Sequence, residues 1–321
     1  MKEKHEDSNA IVDHMSNIQL KSIRIENLNK IIIGHLNINS LRNKFDFLVT
    51  QVKGSIDILM ISETKLDENF PIGQFLMDGY RDPFRLDRNE NGGGILLYVR
   101  EDIPSKLLSF SSNIEGFFVE INLSNKKKWL LSCSYNPKRS QISNHLSELS
   151  KDTNIYLTKY DQLLFLGDFN TGVEDTSMKN FCSSYNLRSM INKPTCFKNP
   201  DKPSCTDLIL TSCSRSFQNS CAIETGLSDF HKLVVTVLKT TYKKSKPKII
   251  TYRNYKSFNN DGFRNALQQI ECNADNCDTN FDKFMSSCRK ILDQHAPQKK
   301  RYVRGNQSPF MNETLTKAIM H

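Results

Sequence analysis

The stretch Leu163-Leu164-Phe165-Leu166-Gly167-Asp168-Phe169-Asn170 ends an apolar run with an acid and an amide two residues apart, which places both on one side of an extended backbone. Taken alone, Gly, Asp and Asn at such a point make an ordinary polar turn. Other apolar runs in the chain, however, carry reactive residues at their boundaries in the same way: Asn37 and Asn39, Glu63, Tyr135, Asp207, and Asp229 with His231. Six separate β segments that each offer an acid, amide, phenol or imidazole at one boundary form the inventory of a sheet-edge site, because strands hold such groups rigidly. The inventory suits phosphodiester hydrolysis. Carboxylates hold Mg²⁺, an amide and a phenol steady phosphate oxygens, an Asp deprotonates or orients water, and a His fixed by another Asp stabilises developing negative charge.

The elements that must position these groups follow from hydrophobic pattern. Lys30 to Asn39 is a β-branched run that reads as a buried strand ending in two amides. Ser40 then caps a helix in which Leu41, Phe45, Leu48, Val49 and Val52 fall at helical spacing and Gly54 ends the run. Asp57 to Thr64 is a second buried strand, with Glu63 where it runs out. Gly92, Gly93 and Gly94 precede the strand Ile95 to Val99; no helix with Lys and Ser/Thr follows, so they mark a close backbone approach or a hairpin bend, not a phosphate cradle. Phe117 to Leu123 and Lys128 to Tyr135 pair as a hairpin around Asn125-Lys126. A helix is expected from Ile142 through Leu146 and Leu149 and, after a polar break, Ile155 and Leu157, another around Met178 to Asn186, and further strands at Thr206 to Leu210, Cys221 to Glu224 and Leu233 to Leu238.

Composition sets the frame. With 321 residues, 38% hydrophobic and 25% charged, the chain has room for one large domain and an appendage. Its 44 Lys+Arg against 35 Asp+Glu leave +9, which favours a polyanionic partner such as nucleic acid or an anionic membrane surface. The nine cysteines include no C-x-x-C pair and there is no secretory signal, so they are expected to be reduced and the protein intracellular. Cys272 and Cys277 lack a second Cys/His pair at finger spacing and are read as ordinary thiols. No apolar run reaches the length of about 18 residues that a membrane span requires.

The set Leu36-Asn37-Ile38-Asn39-Ser40-Leu41, Ser62-Glu63-Thr64, Ser134-Tyr135-Asn136-Pro137, Gly167-Asp168-Phe169-Asn170, Thr206-Asp207-Leu208-Ile209-Leu210 and Leu227-Ser228-Asp229-Phe230-His231 resembles the endonuclease/exonuclease/phosphatase superfamily. In wording and order it is most similar to the apurinic-type endonuclease domain of non-LTR (LINE-type) retrotransposons, from about Lys30 to Thr240. The resemblance implies an α/β fold, a four-layer αββα sandwich of two mixed sheets, with an Mg²⁺-dependent site at one edge and Mn²⁺ as a substitute ion. It implies Glu63 as principal metal ligand, with Asn39 and Asp229 beside the metal. Asn37 and Asn170 would contact the scissile phosphate, Asp168 would position or activate water, Tyr135 would bind phosphate or assist the leaving group, and Asp207 would orient His231. One departure stands out: the family has Ser-Asp-His contiguous, whereas Phe230 separates Asp229 from His231. In a regular strand these two would share a face, and a bulge at Phe230 would be needed to restore the geometry.

The expected organisation is a flexible arm over 1–27, the nuclease domain over 28–240, a basic linker over 241–257 and a helical tail over 258–321. A short element around Ile18, Leu20, Ile23 and Ile25 is compatible with the arm. Lys243 and Lys244, among the linker's cations and tyrosines, are candidate contacts to nucleic acid backbone. The tail resembles the connector before a reverse transcriptase, but no polymerase motif follows, so a fragmentary element product is expected. The leading expectation is a monomeric enzyme nicking DNA in the nucleus to leave a 3′-hydroxyl, with element RNA as a further partner. The alternatives are a non-cutting DNA-binding module and a phosphatase or phosphodiesterase acting on small phosphoesters.

Overall fold

The computed structural model describes residues 18–110, 113–124, 127–242, 248–255, 258–270 and 276–303. The chain divides into two compact units, Met1–Lys243 and Lys244–His321. Among the described residues the first begins with helix α1 (18–26) and continues through β1 (Lys30–Asn37), α2 (Phe45–Val52), β2 (Ile58–Ser62), β3 (Phe84–Leu86), β4 (Ile95–Val99), β5 (Ser105–Leu107), β6 (Glu115–Ser124) and β7 (Lys127–Tyr135). It is completed by α3 (Ile142–Tyr156), β8 (Gln162–Asp168), α4 (Thr176–Ser184), β9 (Arg188–Ser189), β10 (Asp207–Thr211), β11 (Phe217–Ile223) and β12 (Leu233–Thr241).

These strands form two six-stranded sheets, in the orders β11-β12-β1-β2-β4-β3 and β5-β6-β7-β8-β10-β9. Both are mixed: β1 runs parallel to β2 and β7 parallel to β8, while the neighbours on either side are antiparallel. Alternate residues explain the layering. Ile31, Ile33, Ile58 and Met60 of the first sheet meet Val119, Leu131, Leu164, Leu166 and Ile209 of the second in one core. The residues between them face outward: Ile32, Leu36, Leu59 and Ile61 pack under Leu20 of α1 and Leu48 and Val52 of α2, and Leu130, Leu163, Phe165 and Leu210 pack under α3 and α4 through Leu146, Leu149, Met178 and Phe181. The result is the expected α/β sandwich. Because the central strands are buried on both faces, their sequences read as continuous apolar runs.

At one end of the sandwich the inner face changes character. Continuing the alternation of Ile31 and Ile33 gives His35 and Asn37; Met60 is followed by Ser62, Cys133 by Tyr135, Leu166 by Asp168, and Ile209 is preceded by Asp207. All of these polar residues are buried. The bend after β2 is held by backbone bonds, with Ser40 N donating to Glu63 O at 2.7 Å and Leu41 N to Thr64 O at 2.9 Å. Those bonds keep Ser40 at φ 86 and out of any helix. The expected cap at Ser40 is therefore corrected: α2 starts at Phe45 behind Lys44, with no side-chain cap. Gly93 and Gly94 provide the close approach expected of them, Gly94 at φ 86 with room for no more than hydrogen, since a Cβ there would lie 2.2 Å from Thr64 Oγ1.

Residues 1–17 of the expected arm lie outside the described residues, and the short element around Ile18, Leu20, Ile23 and Ile25 is a helix. Residues 18–26 are helical, Leu20 is buried, and Arg24 donates to Asp57 Oδ2 at 2.6 Å, which fastens the helix to the start of β2. In the second unit, β13 (Lys248–Arg253), α5 (Asn260–Gln268), α6 (Cys277–His295) and β14 (Gln298–Val303) follow one another. β13 and β14 pair antiparallel from Lys248↔Val303 to Arg253↔Gln298, so the segment expected to be a plain basic linker contains a strand, and the tail expected to be helical contains its partner. Arg253 donates to Ala296 O at 2.7 Å and pairs with Asp293 at 2.6 Å, joining that strand to the end of α6. Lys243 and Lys244 lie outside the described residues. Among the described residues no helix is long and apolar enough to cross a membrane.

Buried groups in the first unit set how its stability responds to pH and to substitution. Burial pushes His35 of β1 down to about 4, against the opposing pull of Asp207, and burial alone pushes His145 of α3 down to about 4. Depressed imidazoles bind fewer protons folded than unfolded, so the stability that these two groups contribute is full above about 6.5 and is lost as pH falls toward 4. Thermal unfolding followed by circular dichroism should show Tm falling over that window, and a flat Tm would contradict it. Gly94→Ala should cost about 1–3 kcal/mol, the scale of a side chain forced into a rarely occupied backbone region, measured by urea denaturation.

Candidate active site

The polar end of the sandwich is set out by strand register. Across the second sheet Glu115 lies opposite Tyr135, Tyr135 beside Asp168, and Asp168 opposite Asp207. From the first sheet Asn37 reaches over, its Nδ2 donating to Asp168 Oδ2 at 2.9 Å. The other Asp168 oxygen accepts from Asn170 N at 2.9 Å, and Asn170, at φ 50, directs its own amide to Asn136 O at 2.8 Å. Asn136 closes the turn by donating to Phe169 O at 2.8 Å.

Asp207 holds an imidazole. Its Oδ2 takes His231 Nδ1 at 2.9 Å and the Thr195 hydroxyl at 2.8 Å, while His231 Nε2 stands 3.5 Å from Cys196 Sγ. Burial opposes a charge on His231, yet the bonds to Asp207 and Cys196 and the charges of Asp207 and Asp168 prevail and raise it to about 11. Asp207 shows the reciprocal effect: burial favours its neutral form, but the His231 bond and charge hold it below the ordinary carboxylate value. Asp168 is pushed up to about 6, first by burial and then by Asp207, in spite of His231, Asn37 and the Asn170 N–H. Asp168, Asp207 and His231 offer atoms that all lie within 4.8 Å of one another, close enough to share a cation. The imidazolium itself supplies positive charge there.

Glu63 stands at the end of β2 at φ 56, its conformation fixed by the bond from Ser40. One carboxylate oxygen accepts from the Tyr135 hydroxyl and the other from Gly93 N at 3.1 Å. Burial and the bond to Glu63 raise Tyr135 far above the usual phenol range, so it stays protonated. Beside it Glu115, raised chiefly by burial, accepts from Gly94 N and pairs with Arg88 at 3.1 Å. The Arg88 guanidinium lies 5.7 Å from the centre of the Tyr135 ring.

Asn39, at φ 48, donates to Asp229 Oδ2 at 2.6 Å and accepts Lys65 Nζ at 2.6 Å. The extra residue Phe230 does not lie in a strand. Residues 226–230 form bends, β12 begins only at Leu233, and Phe230 is exposed while its carbonyl accepts from Phe197 N at 2.8 Å. No strand bulge is needed, and Asp229 meets Asn39 while His231 meets Asp207.

The structure thus brings Asn37, Asp168, Asn170, Asp207 and His231 into one network, pairs Glu63 with Tyr135, and pairs Asn39 with Asp229. Sequence reasoning passed over His35, Arg88, Glu115, Thr195 and Cys196. Only His35 carried a readable signal, as a polar residue two before Asn37 on the same strand face. An open groove of about 910 Å³ runs from Asn170 and Thr206 past Arg139, Lys179 and Arg188.

The endonuclease/exonuclease/phosphatase family matches residues 34–229. No curated protein matches the chain. Among solved structures, the endonuclease domain of TRAS1, a telomere-specific non-LTR retrotransposon, is similar at 14% identity with a TM-score of 0.52, over 65% of this chain and 99% of that one. The AP endonuclease LMAP from Leishmania major is similar at 11% identity and 0.53, over 66% and 88%. The 3′-5′ exonuclease NExo from Neisseria meningitidis is similar at 17% and 0.51, over 65% and 100%. These likenesses show a shared fold, and the family match, which spans more than half of the sequence and takes in the strands that carry Asn37, Glu63, Tyr135, Asp168 and Asp207, establishes that the chain belongs to the endonuclease/exonuclease/phosphatase family.

Proposed function

We propose that the protein is a divalent-metal-dependent nuclease that nicks DNA and leaves a 3′-hydroxyl. The observation that carries this reading is a buried Asp168, raised to about 6 and oriented by Asn37 and Asn170, within 4.8 Å of a charged His231 that Asp207 fixes. A carboxylate poised near neutrality is suited to take a proton from water, and a fixed imidazolium to meet charge growing on a phosphate.

In this reading Asp168 accepts the proton of the attacking water. His231, through Nε2, meets the phosphate oxygen that gains charge, with Asp207 holding the ring from behind. Asn37 and Asn170, the expected phosphate contacts, have their side-chain amide donors on Asp168 and on Asn136 O, and Asn170 also gives its backbone N–H to Asp168, so both fix Asp168. Tyr135, kept protonated beside Glu63, is a proton source for the departing oxygen.

Glu63 and Asp229 would hold a hard divalent cation through carboxylate oxygens, the ligands that Mg²⁺ and Mn²⁺ prefer. Asn39, whose amide oxygen holds Lys65 and whose nitrogen holds Asp229, would act on such an ion by orienting Asp229. The ion would supply Lewis-acid polarisation of the phosphate.

A polyanionic substrate is supported by the net charge of +9 and by Arg139, Lys179 and Arg188 along the groove beside Asn170. Retrotransposon and AP endonucleases among the similar structures support DNA as that polyanion. Action on chromosomal DNA would place the protein in the nucleus. The non-cutting alternative rested on Phe230, and the bend at 226–230 leaves Asp229 and His231 both in contact with their partners.

Nicking of supercoiled plasmid by the purified chain tests the reading. Relaxation should occur with Mg²⁺ and cease with EDTA, and Glu63→Ala, Asp168→Ala and His231→Ala should each slow it at least about a hundredfold without unfolding the protein. Hydrolysis of small phosphoesters without nicking would instead support a phosphatase. The nicking rate should fall as pH drops through about 6, where Asp168 gains a proton and can no longer accept one, while His231, charged up to about 11, contributes no limb near neutrality. A rate unchanged from pH 7.5 to 5 would remove Asp168 as the base.

A further inference from the structure

His35 is a titratable group that the proposed reaction does not use. It is fully buried on the inner face of β1, with its two ring nitrogens directed at two different strands. Nε2 lies 3.1 Å from Ser62 Oγ on the neighbouring β2. Nδ1 lies 3.5 Å from Asp207 Oδ1 on β10 of the opposite sheet. Among the described residues neither His35 Nδ1 nor Asp207 Oδ1 has a hydrogen-bond partner, so two buried polar atoms that would each be costly to orphan face one another.

The direction of the bonds follows from chemistry. Burial keeps the ring neutral, and a carboxylate can only accept, so the single ring proton belongs on Nδ1, toward Asp207. Nε2 is then an acceptor, and the Ser62 hydroxyl donates to it. His231 Nδ1 and the Thr195 hydroxyl hold Oδ2 of Asp207, and His35 Nδ1 faces its other oxygen, Oδ1, at 3.5 Å. A carboxylate that meets an N–H on the side of Oδ1 as well as on Oδ2 resists rotation about its Cβ–Cγ bond, which keeps Oδ2 aligned with His231 Nδ1. The same ring is bonded to Ser62, the residue before Glu63, and so joins the two sheets at the level of the site.

We propose that His35 is a positioning residue that fixes the Asp207 carboxylate and, through it, the His231 ring. A core histidine that merely fills space would act through volume alone. The nuclease reading underlies the kinetic part of this proposal, and the spectroscopic part stands without it.

Isosteric variants separate the two bonds. In His35→Asn the amide nitrogen occupies the place of Nδ1 and retains a donor toward Asp207. In His35→Gln it occupies the place of Nε2 and retains a partner only for Ser62. His35→Leu keeps volume and neither bond. In plasmid nicking, His35→Gln and His35→Leu should lose about 10–100-fold in kcat, the range seen when a residue supporting a catalytic group is removed, with KM within about twofold. His35→Asn should keep most of the wild-type kcat.

Proton NMR of imidazole-labelled protein reads the His231 Nδ1–H that bonds Asp207. Its downfield resonance should persist in wild type and His35→Asn, and should shift upfield or broaden by exchange in His35→Gln and His35→Leu. Equal behaviour of the Asn and Gln variants in both measurements, or wild-type behaviour of His35→Leu, would overturn the proposal. If the wild-type chain does not nick DNA, the nuclease reading fails, and the His231 resonance in the Asn and Gln variants still decides the role of His35.

Discussion

The arrangement depends on two carboxylates, Asp168 and Asp207, placed directly opposite each other on antiparallel strands and both shut away from water. Like charges in that position repel, and each loses its hydration. The neighbouring residues answer that tension. His231 brings a positive charge to Asp207, Thr195 adds a donor, Asn37 and the Asn170 N–H take the two oxygens of Asp168, and the remaining imbalance is expressed as a raised proton affinity on Asp168. An acid with one strongly ionised neighbour and a protonation point near neutrality is what electrostatic competition between paired carboxylates produces. The reactive character of the site is therefore a consequence of where the strands end.

The same logic explains the unusual backbone around it. Asn39, Ser40, Glu63, Lys65 and Asn170 all have positive φ without being glycine. Such conformations are costly, and they gather here because side chains leaving the ends of buried strands must turn sharply toward a common point. The bonds from Ser40 and Leu41 to Glu63 and Thr64, together with the close-approaching glycines, keep Glu63 in its strained orientation. At the second carboxylate pair, Glu63 and Glu115, neutral donors and Arg88 take the place that His231 holds at the first.

Much of this was legible in the sequence because burial on both faces gives unbroken apolar runs, and a polar residue ending such a run is conspicuous. Asn37, Asp168, Asp207 and Tyr135 were visible for that reason. The helix expected from Ser40 was not, because the bonds that divert Ser40 come from Glu63 and Thr64, more than twenty positions away, and no local propensity records them. The strand Lys248–Arg253 was hidden in a basic run because its partner, Gln298–Val303, lies beyond two helices. Phe230 looked disruptive only on the assumption of a regular strand, and the bend over 226–230 removes that assumption. Cys196 gave no signal at all, since its importance lies in touching His231.

One feature of the first sheet bears on how the protein is made. β1, which carries His35 and Asn37, lies between β2, its near neighbour in sequence, and β12, some two hundred residues later, pairing as far as Thr241. Contacts this distant in sequence make assembly slow and late. While the chain is being synthesised, β1 stays an open edge until β12 has left the ribosome, so the order of translation itself keeps the site incomplete in a nascent or prematurely terminated chain.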